Sequence, residues 1–142
     1  MLYFAYGSNL HHLQMKRRCK DSIFLKKLYL KNFRLTFGSK YRAADIEPNK
    51  NSIVQGALFE ISKSDEKKLD VYEDYPVLYK KYYFTYYGKK IMTYTMTKKT
   101  SFTFPTKRYL NIVKRGYKDC GLDKNELINA LKNWNLKTNN LK

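Results

Sequence analysis

Apolar positions fall into short blocks along the chain, some spaced as strands and some as helices. Leu2 to Tyr6 is a run of apolar and aromatic residues with strong β preference, which predicts a buried strand. It stops at Gly7-Ser8-Asn9, residue types that turn a chain and leave backbone N–H groups free. His11 to Arg18 lacks Gly and Pro and predicts a short helix, with Leu13 and Met15 as its small apolar surface. Ile23-Phe24-Leu25, Leu28-Tyr29-Leu30 and then Phe33, Leu35 and Phe37 at period two predict one or two strands. Gly38 to Ser52 is polar and predicts a long loop, in which Tyr41 to Ile46 is the stretch able to pair as an edge strand. Ile53 to Ile61 predicts a clear strand.

Ser62-Lys63-Ser64-Asp65 has the spacing of a capping box and introduces a short helix through Leu69 and Tyr72. Pro76 ends that helix by Tyr75, because the residue before proline disfavours the α region. Tyr79 to Tyr87 and Lys90 to Thr97 flank Gly88-Lys89 and predict a β-hairpin. Phe102 to Thr106 connects to a helix carrying Tyr109, Ile112, Val113, Gly116 and Tyr117, with Gly121 as its stop. Asp123 with Glu126 caps a last helix whose apolar face is Leu127, Ile128, Leu131 and Trp134. Strands outnumber helices without regular βαβ alternation. The pattern predicts an α+β fold, a small mixed β-sheet curled into a barrel with short flanking helices. Residues 1–134 form one domain in this reading, and 135–142 a polar tail.

Composition narrows the function classes. The hydrophobic fraction is 43% and the aromatic fraction 16%, which excludes a disordered polypeptide. Lys and Arg number 29 against 12 Asp and Glu, a net charge of +17 that favours anionic partners. The excess is mostly Lys, spread from Lys16 to Lys142 without an Arg block, so a charged solvated surface is preferred to a dedicated polyanion site. Cys19 and Cys120 are too few and too far apart for a secreted disulfide scaffold, and no CxxC suggests zinc. No stretch approaches the roughly 20 apolar residues that cross a bilayer. A soluble cytoplasmic protein is expected, with no membrane partner.

Most familiar catalytic arrangements are missing: no GxSxG elbow, HExxH, GxGxxG or phosphate loop. The adjacent His11 and His12 point apart on any regular element and cannot chelate one metal together. The strand opening into Gly7-Ser8-Asn9 is one way to build a small anion-binding nest, though it is also an ordinary strand exit. The acidic residues are few, and Asp65, Glu66, Asp70, Glu73 and Asp74 cluster in one stretch. A solvated helix face balanced by Lys63, Lys67 and Lys68 accounts for most of them. Glu73 differs, since Val71, Tyr72, Tyr75, Pro76, Val77 and Tyr79 surround it in sequence. A carboxylate in such surroundings loses hydration and its pKa is expected to rise, with Asp74 pushing the same way. That is what a proton shuttle at neutral pH requires.

Two motifs, Tyr6-Gly-Ser-Asn-Leu10 and Leu69-Asp-Val-Tyr-Glu73, together resemble the gamma-glutamylcyclotransferase-like superfamily. Leu35-Thr-Phe37, Val54-Gln-Gly-Ala-Leu-Phe59 and Tyr109 before Ile112-Val113 and Gly116 follow in the family's order, so the resemblance spans roughly residues 1–122. It implies an enzyme that converts a gamma-glutamyl peptide or amine to 5-oxoproline and releases the free amine. It implies further that Tyr6, Gly7, Ser8, Asn9 and Leu10 hold the glutamyl moiety, with Glu73 as general acid/base and Tyr79 and Tyr109 lining the pocket. The substrate's own α-amino group is the nucleophile in such a reaction, so no Ser, Cys, metal or cofactor is called for. The implied partner is a small anionic gamma-glutamyl substrate, and the assembly a monomer or homodimer. Asp74 departs from the family, which commonly has glycine there; a turn with positive φ would suit Asp less well than Gly. Other gamma-glutamyl metabolites are the nearest alternative. A basic nucleic-acid-binding module is the rival class, resting on the Tyr and Lys interleaved over Tyr79 to Lys90; a hairpin with one wet face is the preferred account of that stretch.

Overall fold

The computed structural model describes the backbone of residues 1–140 and the side chains of residues 1–132. Its centre is β1 (Leu2–Ala5), the short apolar run at the start of the chain. A long hairpin of β2 (Ile23–Gly38) and β3 (Ala43–Glu60) lies on one side of it. A second hairpin of β4 (Tyr79–Tyr86) and β5 (Lys89–Met96) lies on the other. The sheet order is β2-β3-β1-β5-β4, with β1 antiparallel to β3 and parallel to β5. A strand paired on both sides and buried on both faces reads as continuous hydrophobics, and Tyr3, Phe4 and Ala5 are all buried.

The sheet is mixed and curled, but it does not close into the expected barrel. The outer strands β2 and β4 share no ladder. Their side chains approach: Phe33 and Tyr82 lie 5.4 Å apart between ring centroids, and the Lys26 ammonium sits 5.1 Å from the Tyr86 ring. Curling comes from the long hairpin, whose register shifts at Phe24/Lys26 and again at Lys31/Phe33.

The long loop expected over Gly38 to Ser52 is also absent. Only residues 39–42 turn, and β3 starts at Ala43 in register with Gly38. The polar residues Glu47, Asn49 and Lys50 belong to β3 beyond its buried stretch at Ala44, Asp45 and Ile46; Glu47 pairs with Arg34 across the hairpin, and Asn49 donates to Ser52. Within the same stretch Asp45 is buried; it accepts from the Met96 N–H at 2.9 Å and from the Lys99 ammonium at 2.8 Å. A buried carboxylate needs such partners. The second hairpin turns at Tyr87-Gly88, one residue earlier than expected, with positive φ at both positions as a tight two-residue turn requires.

Four helices pack on this sheet among the described residues. α1 (His12–Arg18) follows a single 3-10 turn over Ser8–Leu10. α2 (Lys63–Tyr72) starts at the Ser62–Asp65 capping box, with both reciprocal bonds formed. Its acids do not balance the helix's own lysines. Glu66 and Asp70 pair instead with Lys81 on β4, and Asp70 also accepts from the Tyr94 hydroxyl at 2.6 Å. These bonds fix α2 to the second hairpin. α3 (Lys107–Cys120) ends at Gly121 in the left-handed conformation, as its stop signal predicts. Gly116 in α3 has no room for a Cβ, which would come within 2.4 Å of the Leu10 Cβ, so this helix lies directly on the 3-10 turn.

α4 (Lys124–Asn140) reaches into the stretch expected as a tail. Leu127 is buried while Ile128 is exposed; the Trp134 side chain lies outside the described residues. Glu126 tethers this helix to the sheet by accepting the Gln55 N–H with both carboxylate oxygens, at 2.8 and 3.0 Å. Burial pushes its pKa up to about 7, against the lowering effect of the Gln55 bonds. None of the described helices is long and apolar enough to cross a membrane.

The Glu126 tether has a pH signature. An acid with a raised folded-state pKa contributes most stability below its unfolded pKa of about 4.3 and loses it as pH climbs through the folded value. Glu126→Gln keeps the acceptor and removes the charge, so its Tm at pH 8 should equal or exceed wild type. Glu126→Leu orphans the Gln55 N–H at a cost of about 1–3 kcal/mol, and should lower Tm by several degrees. Thermal denaturation of both variants at pH 5 and pH 8 checks this.

Candidate active site

At the carboxyl end of β1 the chain passes through Tyr6 and Gly7 into the 3-10 turn, and a cavity of about 450 Å³ opens beside it. Gly7 is held tightly there: a Cβ would meet Ala44 at 3.0 Å and the Tyr109 hydroxyl at 3.1 Å. The turn bonds Leu10 N–H to the Gly7 carbonyl and His11 N–H to that of Ser8. As at any helical start, the leading N–H groups have no intrahelical acceptor.

Of the sequence-predicted residues, Tyr6, Gly7, Ser8, Glu73, Tyr79 and Tyr109 all line this one cavity. Asn9 and Leu10 do not. Asn9 is buried behind the turn, donating to the Tyr3 hydroxyl at 3.0 Å, and Leu10 is fully buried against Gly116. Both hold the loop in place. More than sixty residues separate the turn from Glu73, and the sheet brings them together: β5 lies beside β1, and its Tyr94 donates to Asp70 of α2.

Glu73 is the residue after the last turn of α2, where its N–H still bonds the Leu69 carbonyl at 2.8 Å. The next residue, Asp74, has a φ of 49°, the left-handed conformation that glycine adopts more readily. The Asp74 carbonyl accepts from Val77 and Leu78, so the reversal after Glu73 is closed and the side chain is held over the cavity. Glu73 is half-buried, and its carboxylate has neither hydrogen bond nor ion pair among the described residues. Burial raises its pKa to about 7, and Arg18 works against that rise. Asp74, expected to add to it, has no part.

Arg18 is the cavity residue that sequence reasoning missed. It closes α1, and one guanidinium nitrogen donates to Asn9 Oδ1 at 2.8 Å and to Ser8 Oγ at 3.3 Å. Its guanidinium carbon stacks 4.4 Å from the centroid of the Tyr72 ring. One side chain therefore connects the turn after β1 to the residue before Glu73. It is the single Lys or Arg in the cavity lining. Its place in a basic run, Lys16-Arg17-Arg18, disguised it as surface charge.

Seven tyrosines line the cavity, and hydrogen bonds sort the five that lie deeper than Tyr41 and Tyr72. Tyr6 donates to the Tyr94 carbonyl, Tyr79 to the Ala44 carbonyl and Tyr94 to Asp70, so those three phenolic protons are committed. Tyr3 accepts from Asn9, and Tyr109 accepts from the Ala44 N–H at 3.0 Å. Both keep a proton to donate into the cavity. Burial is the main cause that raises all five phenols, with Tyr109 pushed up to about 12, so they are neutral donors at any physiological pH. No cluster of three or more His, Cys, Asp or Glu suited to a metal occurs among the described residues.

Comparison with known proteins follows the same lines. The family model "Gamma-glutamyl cyclotransferase, AIG2-like" matches residues 3–114. A solved structure named gamma-glutamyl cyclotransferase is 29% identical, covers 85% of this chain and 80% of its own, and superposes with a TM-score of 0.75. An uncharacterized protein from Homo sapiens is 30% identical with the same coverages and TM-score. YkqA from Bacillus subtilis, at 19% identity, shares the fold over 93% of this chain and 54% of its own, with a TM-score of 0.75. No curated protein matches the chain by sequence. The match to the family model covers well over half of the chain, and the protein belongs to the gamma-glutamyl cyclotransferase, AIG2-like family.

Proposed function

We propose that the protein is a gamma-glutamyl cyclotransferase that converts a gamma-glutamyl peptide or amine to 5-oxoproline and the free amine, with Glu73 as general acid/base. One observation carries this reading: a carboxylate with no hydrogen-bond partner and a pKa near 7 lines the same cavity as the Gly7-Ser8 turn. In the reaction the substrate's α-amino nitrogen attacks its own γ-carbonyl carbon. A C–N bond forms to close the five-membered ring, and the γ-amide C–N bond breaks. Glu73 takes a proton from the substrate's ammonium, which frees the amine to attack, and returns one to the leaving nitrogen, so nothing is consumed.

The remaining groups have complementary tasks. Holding the glutamyl chain in a folded, ring-closing pose supplies several kcal/mol of the barrier reduction, on the order of that seen for oriented intramolecular reactions. Arg18 attracts the α-carboxylate, using guanidinium donors not engaged with Ser8 and Asn9. Backbone N–H groups of the turn and the hydroxyls of Tyr3 and Tyr109 are the donors for the developing oxyanion. Glu73 and the α-amino group begin as carboxylate and ammonium, so proton transfer between them frees the amine for attack without any external base.

Glu73→Gln should reduce release of 5-oxoproline by about 100-fold or more while leaving Tm unchanged or raised, since it removes a buried ionisable group. Full turnover by this variant would exclude the acid/base role. Wild-type kcat/KM should fall on the acid side of pH 7 as Glu73 becomes protonated. Removing the cation that lowers the Glu73 pKa, in Arg18→Met, should move that acid limb to higher pH. A pH–rate profile of the two proteins reads both effects.

A further inference from the structure

The cavity has two unlike ends. Its inner wall is built from buried tyrosines: Tyr3, Tyr6, Tyr79 and Tyr94. Its outer wall is built from Tyr41, Val71 and Tyr72, which line the same space yet are 56%, 81% and 57% exposed. Tyr41 comes from the turn between β2 and β3, while Val71 and Tyr72 come from the last turn of α2. Two flat rings and a branched aliphatic side chain, from two separate elements, thus line one opening.

Such exposure is unfavourable for the free protein, since each group forfeits part of its burial. Local packing needs do not account for it. Tyr72 rests one face on Arg18, Tyr41 has the Lys40 ammonium 5.2 Å from its ring, and Val71 is almost wholly in water. The exposed charged side chain that lines this opening is acidic, with the Lys40 ammonium beside the Tyr41 ring as the basic neighbour. Asp74 lines it, exposed, with a carboxylate that makes no hydrogen bond or ion pair among the described residues. The lining's one cation, Arg18, is turned inward to Ser8 and Asn9.

With the glutamyl moiety held at the inner end, the substituent on the γ-amide nitrogen points outward through this opening. We propose that the opening is the leaving-amine subsite and that it takes an uncharged apolar substituent, an aromatic ring above all, in preference to a small amine or to an amino acid with a free carboxylate. Tyr41, Val71 and Tyr72 supply the apolar contact, and Asp74 disfavours a carboxylate. This assignment rests on the cyclotransferase reading for its orientation.

The test compares gamma-glutamyl-benzylamide, gamma-glutamyl-methylamide and gamma-glutamyl-phenylalanine as donors for 5-oxoproline release. The benzylamide should exceed the methylamide in kcat/KM by about tenfold or more, the scale on which an apolar pocket discriminates. It should also exceed gamma-glutamyl-phenylalanine, and Asp74→Asn should narrow that second ratio. Tyr41→Ala combined with Val71→Ser should bring the benzyl-to-methyl ratio close to one. Ratios within one protein are indifferent to the fraction that folds. Equal rates for the three donors, or a ratio unmoved by the Tyr41/Val71 double variant, would overturn the assignment.

Calorimetry with glutaric acid monobenzylamide and its monomethyl analogue, which lack the nucleophilic amine, reads the subsite without turnover. A binding preference for the benzyl compound with no 5-oxoproline from any donor would sink the cyclotransferase reading and keep the subsite. Turnover without either preference would do the reverse.

Discussion

A half-buried carboxylate that makes no hydrogen bond is costly to build, and much of this structure is arranged around keeping one. Glu73 could relieve that cost by swinging into water or by finding a donor. The reversal at Asp74 prevents the first, because both Val77 and Leu78 bond back to the Asp74 carbonyl. The second is not met by the neighbouring phenols: Tyr6, Tyr79 and Tyr94 donate to other acceptors, and Tyr3 and Tyr109 make no hydrogen bond to the carboxylate. The α2 helix in turn cannot drift, since Asp70 and Glu66 hold Lys81 on β4. A group stabilised in neither protonation state by direct contacts has a pKa set by its burial, and that lifts Glu73 into the range where it exchanges protons at neutral pH.

Arg18 is the counterweight. It lowers the Glu73 pKa, yet it forms no ion pair with that carboxylate. Its hydrogen bonds go to Ser8 and Asn9, and its planar face lies on Tyr72. A direct Arg–carboxylate pair would hold Glu73 ionised and remove it from proton transfer at neutral pH. Placing the cation one residue away keeps its field while leaving the carboxylate free. The same placement ties the β1 turn to the end of α2, so the geometry of the two halves is set by one side chain.

Much of this was legible in residue order, and the failures have physical causes. β1, the Ser62 capping box, the Gly121 stop and the second hairpin follow from local signals: periodicity, side-chain caps and glycine. The joint presence of the Gly7-Ser8 turn and Glu73 was readable as a resemblance, although nothing local says that they meet. The pairing capacity of Tyr41 to Ile46 was readable, whereas Glu47 to Ser52 was misread as loop because that part of β3 extends beyond the core and has no buried face to impose alternation. Barrel closure was over-read, since curl is a property of bulges whereas closure needs a ladder between β2 and β4. Arg18 was invisible because a basic residue at a helix end looks the same in sequence whether it meets solvent or Asn9. Leu10 was assigned to the substrate because it lies in the motif. Its burial against Gly116 shows that a motif contains both the groups that touch a cavity and those that brace it.

The net charge of +17 invites an electrostatic account of binding, but the cavity argues otherwise. Among the described residues Arg18 is the one Lys or Arg that lines it, together with Glu73 and Asp74, so the site itself carries no excess of cations. The wider field raises the encounter rate of any anion and falls off within about 10 Å at moderate salt, which leaves discrimination to short-range contacts. Those contacts divide by depth. In the proposed reaction, polar donors and the proton-exchanging carboxylate lie toward the glutamyl end, where every substrate is alike. Apolar, exposed side chains lie toward the opening, where substrates differ. The arrangement separates the chemistry from the choice of amine, so Tyr41 and Val71 are free to vary without disturbing Glu73, whereas Arg18, which touches both the turn and Tyr72, is not.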